Sequence, residues 1–165
     1  YAAMRGWFHG VENHYFNPSG NMSRAMFATL LYRMAGEPDV FISNPFTDVP
    51  ANTWYTEAVI WGYQSGIIRG TTATTFAPNA ALSREQMVVL LHRYAEEYTQ
   101  ADLSTHADLT AYTDAAQVSA YAKEAIEWAV AVGLIYGRTA DRLVPRDSVT
   151  RAEGATLLTR FEHIG

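Results

Sequence analysis

Apolar side chains recur at spacings of three and four in several stretches of the chain, the spacing that gathers them on one face of an α-helix. Trp54, Ala58 and Trp61 form one such set, and Tyr121, Ala125, Trp128 and Val132 form another. Similar apolar runs follow Ser23, Ser83 and Thr150, through Phe27-Leu30-Leu31, Met87-Leu90-Leu91 and Leu157-Leu158. The pattern predicts helices near residues 24–35, 54–65, 84–95, 121–132 and 151–162. Ser83-Arg84-Glu85-Gln86 and Thr150-Arg151-Ala152-Glu153 have capping-box spacing, in which the hydroxyl accepts from one backbone N–H and Gln or Glu reaches back to another. Ser23 keeps the cap without the box. Gly66 and Gly133 stand where a left-handed backbone ends a helix. The stretch from Ile67 to Pro78 carries turn and extended signals, and residues 36–45 and 96–110 read as linkers.

These elements are copies of one unit. Gly6, Gly10, Phe16, Pro18, Arg24 and Arg33 return sixty residues later as Gly66, Gly70, Phe76, Pro78, Arg84 and Arg93. Gly133, Gly137, Pro145, Arg151 and Arg160 repeat them again after a further 67, with Leu143 in place of the Phe. The front of the unit also repeats, Phe46-Thr-Asp48-Val as Tyr112-Thr-Asp114-Ala, and Trp54 to Trp61 as Tyr121 to Trp128. Repetition at fixed period dictates architecture. It predicts an all-α domain over residues 1–165, with repeats at 1–36, 46–95 and 112–161, the first lacking its opening segment.

Composition removes several function classes. A net charge of −5 argues against affinity built on Lys and Arg spread along a nucleic-acid backbone, so an anionic ligand has to be held locally. With no cysteine there is no disulfide framework, thiolate metal site or thiol nucleophile. No apolar run approaches a membrane span, and the start at Tyr1 lacks the pattern of a signal peptide, so the chain reads as a piece of something longer. The five histidines show no metal-binding spacing, and no phosphate loop or nucleophile elbow is present. No catalytic residue, metal ligand or cofactor is expected.

The run Phe46-x-Asp48-Val, Trp54-Tyr, Ala58-Val, Trp61, Gly66-Ile67, Gly70, Phe76-x-Pro78 and Ser83-Arg84-Glu85 resembles the S-layer-homology repeat, and Thr150-Arg151-Ala152-Glu153 is that family's Thr-Arg-Ala-Glu motif. The resemblance implies a pseudo-threefold, three-prong spindle, with one helix of each repeat in a central three-helix bundle and grooves between the prongs. It further implies a non-catalytic, extracellular module that binds the anionic secondary cell-wall polysaccharide of Gram-positive bacteria, often through a pyruvate ketal. A covalently linked cargo domain is the partner expected in the full-length protein; nucleic acid and membrane are not. A helical scaffold that binds a protein through its apolar grooves is the alternative.

The residues themselves suggest where an anion would sit. Arg24, Arg84 and Arg151 each follow a capping hydroxyl, Ser23, Ser83 and Thr150, so each guanidinium is expected beside unpaired N–H groups at the positive end of a helix. The plainer reading makes these arginines solvated side chains or partners of nearby carboxylates. Replacement of Arg84 or Arg151 by Ala is expected to leave stability nearly unchanged, because the cap remains. Gly10, Gly70 and Gly137 either let a sugar approach the backbone or meet a turn's need for positive φ. Trp7 is the exposed aromatic candidate, whereas Trp61 and Trp128 read as core. Asp48 and Asp114 read as caps of the turn before the first helix, with ligand contact as the lesser alternative. Arg33, Arg93 and Arg160 read as structural.

Overall fold

A computed structural model describes residues 17–164 of the chain. It contains helices α1 (Arg24–Met34), α2 (Thr56–Gln64), α3 (Arg84–Tyr98), α4 (Lys123–Ala131) and α5 (Arg151–Phe161), with 3-10 turns at Ala115–Gln117 and Ala120–Ala122. Among the described residues there is no strand, only isolated bridges, so the fold is all-α as the pattern predicts.

The three second helices, α1, α3 and α5, start in the same way. Ser23, Ser83 and Thr150 accept from the N–H groups of Met26, Gln86 and Glu153 at 3.2, 3.3 and 3.2 Å. Gln86 and Glu153 return to the cap N–H groups at 3.1 and 2.8 Å and complete two capping boxes. The residues just before the caps, Met22, Leu82 and Val149, are buried and close a ring of backbone hydrogen bonds. Leu82 N–H donates to the Met22 carbonyl (2.8 Å), Val149 N–H to Leu82 (2.9 Å) and Met22 N–H to Val149 (2.8 Å). This cycle is the pivot of the pseudo-threefold arrangement. Burial without partners would be costly for these backbone groups, and the ring satisfies them mutually.

Around the pivot, the equivalent residues Leu31, Leu91 and Leu158 are fully buried within one continuous core. Helices then pair across repeats: α1 packs on α2, and α3 on α4. Each pair is locked by a buried tryptophan. Trp61 lies 5.5 Å from the Tyr32 ring and donates its indole N–H to Tyr98 Oη (3.1 Å). Trp128 meets His92 edge-on at 5.2 Å and donates to the Asp102 carbonyl (3.1 Å). Both indoles thus bury their apolar surface without stranding a polar group.

Gly66 and Gly133 have positive φ at the ends of α2 and α4, as their positions predict. The starts of those helices differ from expectation. Trp54 and Tyr121 precede α2 and α4 instead of extending their apolar faces, and are 61% and 58% exposed. Asn52, at φ 61°, turns the chain just before α2, and Thr56 Oγ1 donates to the Pro50 carbonyl at 2.7 Å, so the helix begins two residues late.

Candidate functional site: the grooves between repeats

In the second and third repeats the long loop is shaped by a carboxylate from the same repeat. Asp48 accepts from the N–H groups of Phe76 (2.8 Å) and Ala77 (2.7 Å), one on each oxygen. Asp114 does the same for Leu143 and Val144, both at 2.8 Å. Ala77 and Val144 have φ of 58° and 46°, a conformation that L-residues adopt only when the surroundings hold them there. Asp48 and Asp114 are therefore not caps of the neighbouring turn, and Asp114 makes no side-chain cap bond. Each carboxylate instead clamps a segment about thirty residues onward, where it satisfies two successive backbone N–H groups. Burial pushes both pKa values up, but the N–H donors outweigh it and leave both below the ordinary carboxylate range.

The arginines of the motif complete the clamp from the preceding repeat. Arg24 Nε donates to the Phe76 carbonyl (2.8 Å) and its Nη2 to Arg69 (3.2 Å), with the guanidinium 4.7 Å from the Phe76 ring centre. Arg84 Nε donates to the Leu143 carbonyl and its Nη2 to Tyr136, both at 3.0 Å. Burial lowers the pKa of both arginines. Arg151 is buried as Arg84 is, at 6% exposed; the loop positions equivalent to the partners of Arg24 and Arg84, 9 and 16, lie outside the described residues, as do Trp7 and Gly10.

This overturns the expectation of unpaired N–H groups at the helix starts. The first two N–H groups of each second helix donate to a loop of another repeat: Arg24 and Ala25 to Ala80 and Pro78, Arg84 and Glu85 to Asp147 and Pro145, Arg151 and Ala152 to Gly20 and Pro18. The third is taken by the capping hydroxyl, so Ser23, Ser83 and Thr150 are engaged in caps. Nothing at these termini is left to receive an anion.

One groove has a volume of about 310 Å³ and is lined by Arg84 from the second repeat and Tyr136, Gly137, Arg138, Glu153 and Arg160 from the third. It brings together Arg84 and Gly137, which the sequence singles out, with Arg138, which it does not. Gly70 and Gly137 do not have positive φ. A Cβ at either would run into loop carbonyls, those of Thr72 and Thr75 or of Thr139 and Arg142, so glycine keeps the loop tight. Arg138 bonds Asp147 (2.9 Å) and Glu153 (3.0 Å) across the groove wall. Arg160 lies 5.0 Å from the Tyr136 ring centre, and Arg93 donates to the Ile67 carbonyl at 3.1 Å.

A second cavity, of about 330 Å³, lies on α1 and is walled by Thr29, Arg33, Trp54 and Glu57. Trp54 was concealed in the sequence by its helical spacing from Ala58 and Trp61. Arg138 gave no signal because its counterpart in the second repeat is Thr71.

Residues 45–88 and 111–155, more than half of the chain, match the sequence model of the S-layer homology domain. The chain belongs to the S-layer homology domain family. It is 34% identical over 94% of its length to a surface-layer 125 kDa protein of Lysinibacillus sphaericus, of which the match covers 13%. It is 31% identical over 91% of its length to an endoglucanase of Bacillus sp. (strain KSM-635), covering 16% of that protein. To an amylopullulanase of Thermoanaerobacterium thermosulfurigenes it is 28% identical over 94% of its length, covering 8%. The chain thus spans less than a fifth of the length of the curated relatives it matches, and in the two named as enzymes the shared segment is a minor part. S-layer homology domains are anchoring modules, and the chain is a cell-surface, cell-wall-associated one.

Proposed function

We propose that the grooves of this S-layer homology module hold an anionic secondary polysaccharide of the cell wall, and that the chain anchors a longer secreted protein through it. The observation that carries this reading is the meeting of Arg84, Arg138 and Arg160 in one groove beside Gly137. Arg84 is fixed by backbone carbonyls and Arg138 by Asp147 and Glu153, so both guanidinium groups are preorganised, and charge-assisted bonds to a carboxylate or ketal acid are worth roughly 1.5–3 kcal/mol each. A polymer that engages two grooves multiplies modest single-site affinities into stable attachment. A pyruvate ketal on a terminal amino sugar suits such a wall, because its carboxylate is planar and projects from the sugar ring.

The module also reads as catalytically silent. The carboxylates Asp48 and Asp114 are occupied by backbone N–H groups, not poised across a groove. The test is sedimentation with purified wall sacculi. The module should co-sediment with intact sacculi and remain in the supernatant once the anionic polymer is chemically stripped. Equal retention by stripped sacculi overturns the reading and favours a protein-binding scaffold.

A further inference from the structure

Two seams between successive repeats are closed by the same kind of ring pair, and only one of them holds a group that titrates near neutrality. Tyr32 and His92 stand sixty residues apart, at the same place in the repeat. Tyr32, on α1, packs against Trp61 of α2 at 5.5 Å, and His92, on α3, packs edge-on against Trp128 of α4 at 5.2 Å. Both tryptophans are fully buried in the seam between their two helices. Beyond its end, α4 leads directly into Ile135, Tyr136 and Arg138, which wall the groove beside Arg84.

His92 is half-buried, but its Nε2 is fully buried and has no hydrogen-bond partner among the described residues. Trp128 offers none, because its indole N–H is a donor and is already spent on the Asp102 carbonyl. A neutral imidazole tolerates such a place, since one of its two nitrogens carries no proton. The cation does not. Both nitrogens of an imidazolium are donors, so protonation puts a charged N–H where no acceptor stands. The charges around the ring are mixed. Arg93 on α3 and His106, between α3 and α4, oppose protonation; Glu96 on α3 and Glu124 on α4 favour it, but both are exposed and screened by water. Glu127 of α4 faces His106 at 3.9 Å and Lys123 at 3.8 Å, and Tyr121, in the 3-10 turn before α4, is bonded to Glu85. Burial prevails and holds the His92 pKa below the ordinary histidine value.

We propose that His92 is a pH-sensitive latch: neutral, it seals the seam between α3 and α4, and its protonation in mild acid loosens that seam and the groove wall beyond it, while the Tyr32 seam between α1 and α2 stays closed. The folded chain binds this proton less well than the opened one. The latch is therefore complete above the ordinary imidazole value of about 6.5 and is lost as pH falls from there toward the lower folded-state value.

The test is amide hydrogen exchange of α2 and α4, with protection taken relative to the free-peptide rate at each pH, together with an NMR titration of the His92 ring. Between about pH 7.5 and about pH 5.5 the protection of α4 should fall severalfold, with a ceiling of about tenfold set by the ordinary imidazole value, and that of α2 should hold. His92→Tyr, which copies the Tyr32 seam, should remove the fall in α4. The His92 ring of the parent should titrate below about 6.5. Equal loss in α2 and α4, or a fall in α4 that survives His92→Tyr, overturns the latch. So does a ring that titrates at or above the ordinary value. If His92→Tyr fails to fold, His92→Gln replaces it as the variant that cannot titrate, and should neither fold, the parent's ring titration and its contrast between α2 and α4 decide.

Discussion

Two grooves of this molecule share one scaffold and differ in their charge. In the groove between the first and second repeats, Arg24 holds the carbonyls of Phe76 and Arg69, and Asp48 clamps the same loop. In the groove between the second and third, Arg84 and Asp114 do the same for Leu143, Tyr136 and Val144. The surroundings then diverge. Where the later groove has Arg138 bonded to Glu153, the earlier has Thr71, whose hydroxyl pairs with Thr75, and neutral Gln86. The one acid of the earlier groove's first helical turn, Glu85, is taken up by the Ser119 N–H (2.9 Å), the Ser119 hydroxyl (2.7 Å) and Tyr121. The shared parts are thus mechanical, and the differing parts set how strongly each groove attracts an anion.

The clamp should show the largest effects. Asp114 is 3% exposed, so Asp114→Ala strands two buried N–H groups and is expected to cost about 3 kcal/mol or more, while the half-buried Asp48 should cost about half as much. Urea unfolding of the two variants measures this, and equal losses would break the distinction drawn between the loops. Both carboxylates titrate below their ordinary value in the folded state. Their contribution is therefore complete above about pH 4 and disappears as pH falls through the folded-state pKa, so each variant should lose its own carboxylate's share of the parent's acid destabilisation in that window.

Next come the arginines. Arg84→Ala removes two charge-assisted bonds from a residue that is 9% exposed and should destabilise by about 2–3 kcal/mol, more than Arg24→Ala, whose side chain is less buried. Stability and binding therefore fall together, contrary to what the preserved cap suggests. Arg84→Lys should recover only part of either, because an ammonium cannot reach both carbonyls with the fork of a guanidinium. Thermal melting and polymer binding on the same samples would detect a separation of the two effects, which would return these residues to a purely ligand-binding role.

The smallest effects sharpen the electrostatic contrast. Glu153 competes with an anionic ligand for Arg138, yet Gln86 shows that Gln closes the same capping box. Glu153→Gln should raise polymer affinity a few-fold with little change in stability, and Gln86→Glu should lower it by a similar factor, consistent with exposed ion pairs worth up to about 1 kcal/mol. Identical affinities in calorimetry would show that Glu153 does not compete.

Much of this fold is legible in the sequence, because caps, C′ glycines and apolar periodicity are local signals. Ser83, Thr150, Gly66 and Gly133 act as their neighbours predict. The pivot is not legible, since Met22, Leu82 and Val149 form it with backbone groups that every residue possesses. Nor are the roles of Asp48 and Asp114, whose partners lie about thirty residues away and are made available only by the positive φ of Ala77 and Val144. For the site, the repeat points to Arg24, Arg84 and Gly137 because it conserves their types between units. It hides Arg138 and Glu153 because those positions differ between units.

Calorimetric titration with purified wall-polysaccharide fragments, carrying or lacking their acidic group, tests the central claim most directly. Preorganised guanidinium groups in water-exposed grooves should give saturable binding to the acidic fragment that weakens as salt rises, and no detectable heat with the neutral one. Equal affinity for both fragments, unchanged by salt, would contradict the account.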